Sequence, residues 1–349
     1  MKIALVQSFL PSRSQGGVGH FTDQLANRLV EHGHAVTVFS FDEAPDGSNY
    51  AVVQPGSDTW YLRGRLGRVY GFGVWLALQD FSGFDVVHAM GDNHFLRTKG
   101  TPVVRTLSGS ALAEALHAPK LATRVFFLSI YPLEVLGAAR ATRTVGIAES
   151  SLRHFPFIKP LTIPEGIPDT FFRRDIPKSE VPSVLFVGHR LRDRKRLYLL
   201  VEEFQRVIRP VNPLAELWIV SDDPVDGPGV RHFSRLDTAA LADLYRKAWV
   251  FCLPSSYEGF GRPYAEAMAS GTPVVATPNP GALEVLDHGR YGIITPASGL
   301  GTTLLELLGD PDRRVKLANA ALVRAEDFRW DKVASQYEEL YARALGQRP

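Results

Sequence analysis

The chain has 349 residues, 45% hydrophobic and 22% charged, with a formal net charge of +2. That length suits two domains of about 150 to 180 residues better than one core. Near-neutrality leaves no electrostatic footprint for nucleic acid or another polyanion, and a single cysteine, Cys252, excludes a disulfide framework. Cys252 lies in an apolar run and reads as a small buried hydrophobe; a reducing compartment, the cytoplasm, is expected.

Residues 3–6 read as a first strand rather than a signal peptide, because a glycine loop and an amphipathic pattern follow instead of a cleavage site. The loop holds Pro11, Gly16, Gly17 and Gly19. Phe21, Leu25 and Leu29 then mark one helix face, Gly33 stops the helix, and residues 36–39 form the next strand. This βαβ unit puts its glycine loop at a strand's carboxyl end, where open α/β sheets bind ligands. Thr22 stands where a third glycine would complete G-x-G-x-x-G, so a nicotinamide oxidoreductase is disfavoured. Further strands at residues 86–89, 103–106 and 144–147 make the first half a doubly wound parallel sheet.

Two stretches stand apart. Residues 63–70 are basic and aromatic, and residues 125–139 are strongly apolar around Pro132. Together they offer a surface for an acceptor lipid or for peripheral contact at the inner face of a membrane. The commoner meaning, a solvated helix face and a buried kinked helix, is preferred. No uninterrupted apolar run reaches about eighteen residues, so no membrane span is expected.

Pro164, Gly166, Pro168, Pro177 and Pro182 mark a linker. The expected domains are residues 1–172 and 173–329, with a helically spaced tail from Trp330 through Val333, Tyr337, Leu340, Tyr341 and Leu345. The second domain repeats the first: a strand at 184–187, then a loop with five cations in eight residues, 189–196. Such cations repel one another unless some neutralise an anion. A diphosphate fits, with Arg190 donating in bidentate fashion and Lys195 acting as a point charge. Asp222 and Asp223 are adjacent and followed by Pro224 and Gly227, which suggests a turn, and no metal is expected.

The organising stretch is PSSYEGFGRPYAEAMASGTPVVATPNP, residues 254–280. A buried strand at 250–253 precedes it, and Glu258 and Glu266 flank a Gly-Phe-Gly-Arg-Pro loop. With Pro263 at the first helical position, Glu266 is expected in the first turn and Gly271 at the helix end. First-turn amides favour an anion, and carboxylates suit sugar or ribose hydroxyls. The amides of a following helix at 280–284 are expected to add to the anion pocket.

The string E-G-F-G-x-P-x-x-E, followed by A-M-A-x-G-x-P-V-V, resembles the E-x7-E motif of retaining GT-B glycosyltransferases of family 4. The resemblance implies an α/β architecture of two Rossmann-like doubly wound domains facing a central cleft, with the C-terminal helix crossing back to the first. It implies a metal-independent, retaining transfer from a nucleotide diphosphate sugar, UDP- or GDP-linked, to a glycan, glycolipid or small glycoside hydroxyl. The nucleotide sugar is a co-substrate and no cofactor is implied. Gly16 and Gly17 would let the backbone approach the diphosphate, Arg190 and Lys195 would take the phosphates, Glu266 the ribose, and Glu258 with the amides of Gly259, Phe260 and Gly261 the donor sugar. Glu258, Arg190 and Lys195 carry catalysis in that scheme. His88 matches a family position near the sugar, with a core histidine as the equal alternative, and Ser108 replaces a family histidine. Arg196 stands where glycine usually follows the lysine. The replacement at Ser108 keeps open a non-catalytic sugar-nucleotide-binding partner; a sugar-nucleotide epimerase on the same architecture is the enzymatic alternative. Sugar, base, acceptor, linkage and oligomeric state are left open by the residues.

Overall fold

A computed structural model describes the chain apart from residues 12–16, 57–58, 60–61, 63, 65–66, 119, 174–175, 189–193 and 347–349, with Arg68 described in its backbone alone. It divides into two compact units, Met1–Gly166 with Trp330–Pro349, and Ile167–Arg329.

The first unit carries β1 (Lys2–Val6), β2 (Ala35–Phe39), β3 (Ala51–Val53), β4 (Val86–Ala89), β5 (Val103–Leu107) and β6 (Arg143–Gly146). They form one parallel sheet in the order β3-β2-β1-β4-β5-β6. Continuous apolar runs such as Ile3, Ala4, Leu5 and Val6, all fully buried, are what a sheet covered on both faces requires. Its helices include α1 (Gly17–Glu31), α2 (Ala111–His117) and α3 (Leu121–Arg140). The C-terminal helix Trp330–Ala344 belongs to this unit and buries Trp330, Val333, Tyr337, Leu340 and Tyr341, with Phe21 of α1 meeting the Trp330 and Tyr337 rings. Gly166 is required there, since a Cβ would fall 2.3 Å from the Trp330 ring.

The second unit carries β7 (Ser183–Val187), β8 (Glu216–Val220), β9 (Val230–Phe233), β10 (Val250–Leu253), β11 (Val274–Ala276) and β12 (Ile293–Ile294), parallel throughout, in the order β12-β11-β10-β7-β8-β9. The helices that shape its site are α4 (Leu197–Glu203), α5 (Thr238–Lys247), α6 (Arg262–Ala269) and α7 (Pro280–Val285).

Two sequence expectations change. The junction lies at Gly166 and Ile167, not at residue 172, because the 167–172 segment packs on the second unit: Phe171 meets the Tyr245 ring edge-on and Arg246 donates to the Thr170 carbonyl. The apolar 125–139 stretch is not a buried helix. It sits within α3, which is long and apolar enough to cross a membrane by length and composition, yet buries only Gly137 and Ala138. Scattered polar residues break the apolar run in sequence without lowering its average hydropathy much.

Candidate functional site

In the second unit, β7 and β10 are hydrogen-bonded neighbours although β8 and β9 intervene in sequence. The strand order reverses at that point, which opens a crevice at the strands' carboxyl ends between the loops that follow them. The glutamate loop after β10 and, of the basic loop after β7, the described residues 194–196 lie at this end of the sheet.

After β10 the chain turns inward. Ser255 is fully buried and its hydroxyl donates to Glu258 Oε1 at 2.7 Å; Glu258 is 6% exposed. The Glu258 carbonyl accepts from the Gly281 N–H at 3.0 Å, and a Cβ on Gly281 would fall 2.6 Å from the Phe260 carbonyl oxygen, so a glycine is needed where α7 meets this loop. Phe260 is anchored edge-on against Phe328, their centroids 5.6 Å apart. Gly261 has φ of 89°, a left-handed conformation that glycine adopts without steric cost.

Helix α6 starts at Arg262, one residue before Pro263, so Glu266 lies beyond the first turn rather than within it. Gly261 in the left-handed region lets the helix begin early. Glu266 is buried, with Arg262 Nε donating to Oε1 at 3.0 Å and the Tyr245 hydroxyl of α5 donating to Oε2 at 3.1 Å. Each carboxylate oxygen keeps lone-pair capacity for a further hydroxyl. Gly271, with φ of 66°, lies just past the helix end as the sequence indicates.

Arg196 joins the two loops. Its Nε donates to the Pro254 carbonyl at 2.6 Å, and an Nη donates to Thr277 Oγ1 at 2.8 Å and to the Ser255 carbonyl at 3.4 Å. It does so from a left-handed backbone, φ 53°, which explains why a glycine would suit the position. The Ser256 N–H closes the same junction by donating to the Arg194 carbonyl at 2.8 Å. Lys195, half-buried, reaches back to the Val187 carbonyl at the end of β7 at 3.3 Å. Lys195 thus sits at the same crevice as Glu258. Arg190 lies outside the described residues.

The amides of α7 are not free for an anion. Gly281 N–H donates to Glu258, Ala282 N–H to the Asn279 side chain at 3.0 Å and Leu283 N–H to the Asn279 carbonyl. In α6, Tyr264 N–H donates to the Gly261 carbonyl. Ser221 Oγ donates to the Asp223 carbonyl at 2.7 Å within the turn, and among the described residues no group of three or more His, Cys, Asp or Glu side chains is placed to hold a metal. Cys252 is buried and free, its thiol pKa pushed far up by burial.

In the first unit, Gly17 opens α1 and Gly16 lies outside the described residues. The glycine that the packing demands is Gly19, where a Cβ would meet the Phe9 carbonyl oxygen at 2.7 Å. His88 resolves as a core residue: fully buried, it shares one hydrogen bond with the Tyr341 hydroxyl at 2.7 Å and another with Thr106 Oγ1 at 2.8 Å. Burial pulls its pKa down to about 3, and the sugar contact considered for it is corrected to a structural role. The C-terminal helix, distant in sequence, supplies the wall that decides this.

Ser108 lines a cleft of roughly 360 Å³ at the carboxyl end of β5. Asp92, Arg105 and Glu134 line it too, and sequence reading did not single them out. Arg105 is 3% exposed, donates to Asn93 Oδ1, and finds no acceptor for its Nε among the described residues. Asp92 accepts from Ser8 Oγ, and Glu134 Oε2 accepts from the Ala111 N–H at 2.8 Å. Burial raises the pKa of both carboxyls, while the nearby Arg105 charge opposes that rise. The available sequence signal was a charged residue inside the apolar strand V-V-R-T-L.

Comparison with known proteins agrees with this architecture. Residues 15–155 match the family model described as Glycosyltransferase Family 4, and residues 181–310 match that described as Glycosyl transferases group 1. An uncharacterized glycosyltransferase of Methanocaldococcus jannaschii is 27% identical, with 99% of each chain covered. Among solved structures, sucrose-phosphate synthase of Thermosynechococcus elongatus superposes with a TM-score of 0.75 at 21% identity, covering 99% of each chain. Anabaena HepE in complex with UDP-glucose gives 0.73 at 16% identity, covering 98% of this chain and 100% of that one. The fold is therefore the GT-B fold of glycosyltransferases. Both halves of the chain thus match glycosyltransferase models, Family 4 in the first half and group 1 in the second.

Proposed function

We propose that the protein is a retaining glycosyltransferase that moves a sugar from a UDP- or GDP-sugar to a hydroxyl of a glycan, glycolipid or small glycoside without a metal ion. The observation that carries this reading is the buried pair Glu258 and Glu266 around a glycine loop, tied through Arg196 to the loop holding Lys195. HepE, a neighbour of the same fold, has been solved with UDP-glucose. In the proposed reaction the bond from the anomeric carbon to the diphosphate oxygen breaks. The acceptor oxygen bonds to that carbon on the same face, and its proton passes to the departing phosphate oxygen. Lys195, with Arg190, would balance charge growing on the diphosphate, a preorganised stabilisation of the kind that usually contributes most to catalysis. Glu266 would accept from the ribose hydroxyls, and Glu258 from the donor sugar. A cytoplasmic location is part of the same proposal, supported by a lone cysteine that needs no oxidising compartment.

A thermal-shift screen with UDP, GDP, ADP, TDP and NAD, each with and without magnesium, tests the reading. A ligand at a hundred times its dissociation constant stabilises the fold by about 2.7 kcal/mol. Stabilisation by UDP or GDP without magnesium is expected. A response to NAD alone, or to no nucleotide, would overturn the proposal.

A further inference from the structure

Helix α3 has two apolar faces. Phe127, Ile130 and Leu133 line the cleft that holds Ser108 and Arg105, and Glu134, the one carboxylate on the helix, lines it with them. On the opposite side Leu121, Val125 and Leu128 are 76%, 58% and 50% exposed. Leu116 at the end of α2 and Phe157, on the two elements that pack on α3, are likewise exposed at 64% and 53%. Phe157 belongs to a segment fixed against the middle of the helix, because the Tyr131 hydroxyl donates to the His154 carbonyl at 2.6 Å and Tyr131 packs on Phe155. Contiguous apolar exposure of this kind marks an interaction surface.

Charge decides the occupant. Lys120, Arg124, Arg153 and Lys159 are exposed around this face, and none forms an ion pair with a described residue. The outer face of α3 and residues 153–159 carry no carboxylate. A second copy of the chain would set these cations against their own equivalents. A bilayer with anionic head groups instead accepts the apolar side chains and neutralises the cations around them, with about 1 kcal/mol for each lysine or arginine near the surface. The helix does not span the bilayer, since its inner face belongs to the fold.

We propose that α3 lies in the interface of an anionic lipid bilayer and docks the first unit there. The docking is independent of the enzymatic reading. Its consequence, that an acceptor anchored in the same bilayer reaches the cleft on the inner side of α3, rests on the transferase reading.

The test is co-sedimentation of the full chain with vesicles of phosphatidylcholine alone and of phosphatidylcholine with an equal share of phosphatidylglycerol. One variant combines Leu121→Gln, Val125→Gln and Leu128→Gln; a second combines Lys120→Gln and Arg124→Gln, which leaves the apolar face intact. UDP binding is measured on all three proteins. The wild type is expected to bind the anionic vesicles, the apolar variant to bind at least about tenfold more weakly, and the charge variant to lose affinity and salt sensitivity together. Wild type that ignores anionic vesicles, or variants that bind as well as wild type, would overturn the proposal. A concentration-dependent dimer that the apolar variant loses, without vesicle binding, would assign the surface to a second copy and overturn it equally. Absence of UDP binding in every protein counts against the transferase reading and leaves the vesicle result to decide the docking.

Discussion

Ser255 and Glu258 meet inside the second unit, the serine hydroxyl donating to the carboxylate at 2.7 Å in a setting closed to bulk water. The bond fixes how the glutamate faces the crevice beside β10. A buried hydrogen bond to a charged group is worth about 1.5–3 kcal/mol, so Ser255→Ala is expected to lower turnover by at least about tenfold through misplacement of Glu258. Nucleotide affinity should change by less than about twofold, since a carboxylate assigned to the sugar contributes little to binding the diphosphate alone. Steady-state rates beside calorimetry with UDP check both halves; an equal loss in each would assign Glu258 to the nucleotide.

Glu266 holds the Tyr245 and Arg262 side chains and, in the proposed reaction, also takes the ribose; two substitutions separate the two roles. Glu266→Ala leaves the buried Tyr245 hydroxyl without its acceptor and is expected to lower stability by about 1–3 kcal/mol as well as nucleotide affinity. Glu266→Gln keeps an acceptor and most of the stability while weakening the ribose contact. Lys195→Ala, by contrast, should slow transfer more than it weakens binding if the proposed role holds, because a cation beside a departing diphosphate acts most strongly in the transition state. Urea unfolding and calorimetry on the three variants decide among these effects.

Arg196 spends a left-handed backbone to hold two loops together. Arg196→Gly relieves a conformational cost of about 1–2 kcal/mol but removes the bonds to Pro254 and Thr277, each worth about 1.5–3 kcal/mol at a charged donor. The losses exceed the gain, so the variant should be less stable by about 1 kcal/mol or more. An increase in the urea midpoint would show that the loops hold without the guanidinium.

His88 gives the protein a particular acid sensitivity. Its pKa falls from 6.5 to about 3 on folding because burial disfavours the imidazolium. Between those values the unfolded chain binds a proton that the folded protein does not, so stability present above pH 6.5 is lost as pH falls towards 3. The slope attributable to this group is at most about 1.4 kcal/mol per pH unit. His88→Asn, compared with wild type by urea unfolding at several pH values, should show a flatter decline across that window. Parallel declines would show that His88 does not titrate differently on folding.

Much of this was legible in order along the chain. The strands at 86–89 and 250–253 appear where the apolar runs place them, since parallel strands buried on both faces are written as continuous hydrophobic segments. The short strands β3, β9 and β12, with half-exposed side chains, leave no such run and were not anticipated. Glu258, Glu266 and Lys195 stand out as candidates by residue type and spacing, because a helix start after a strand is a local event.

By itself the sequence determined the two α/β halves, the glutamate loop and its glycines, all features that rest on a few neighbouring residues. The tertiary structure alone decided that His88 is core, that Arg196 joins two loops, that Arg105 lies in a cleft and that α3 faces outward. Each of these depends on which distant segment supplies the other wall: the C-terminal helix for His88, the 254–277 stretch for Arg196, α3 for the Arg105 cleft. Hydrophobicity along a chain records that a side chain needs cover, and the fold settles what covers it.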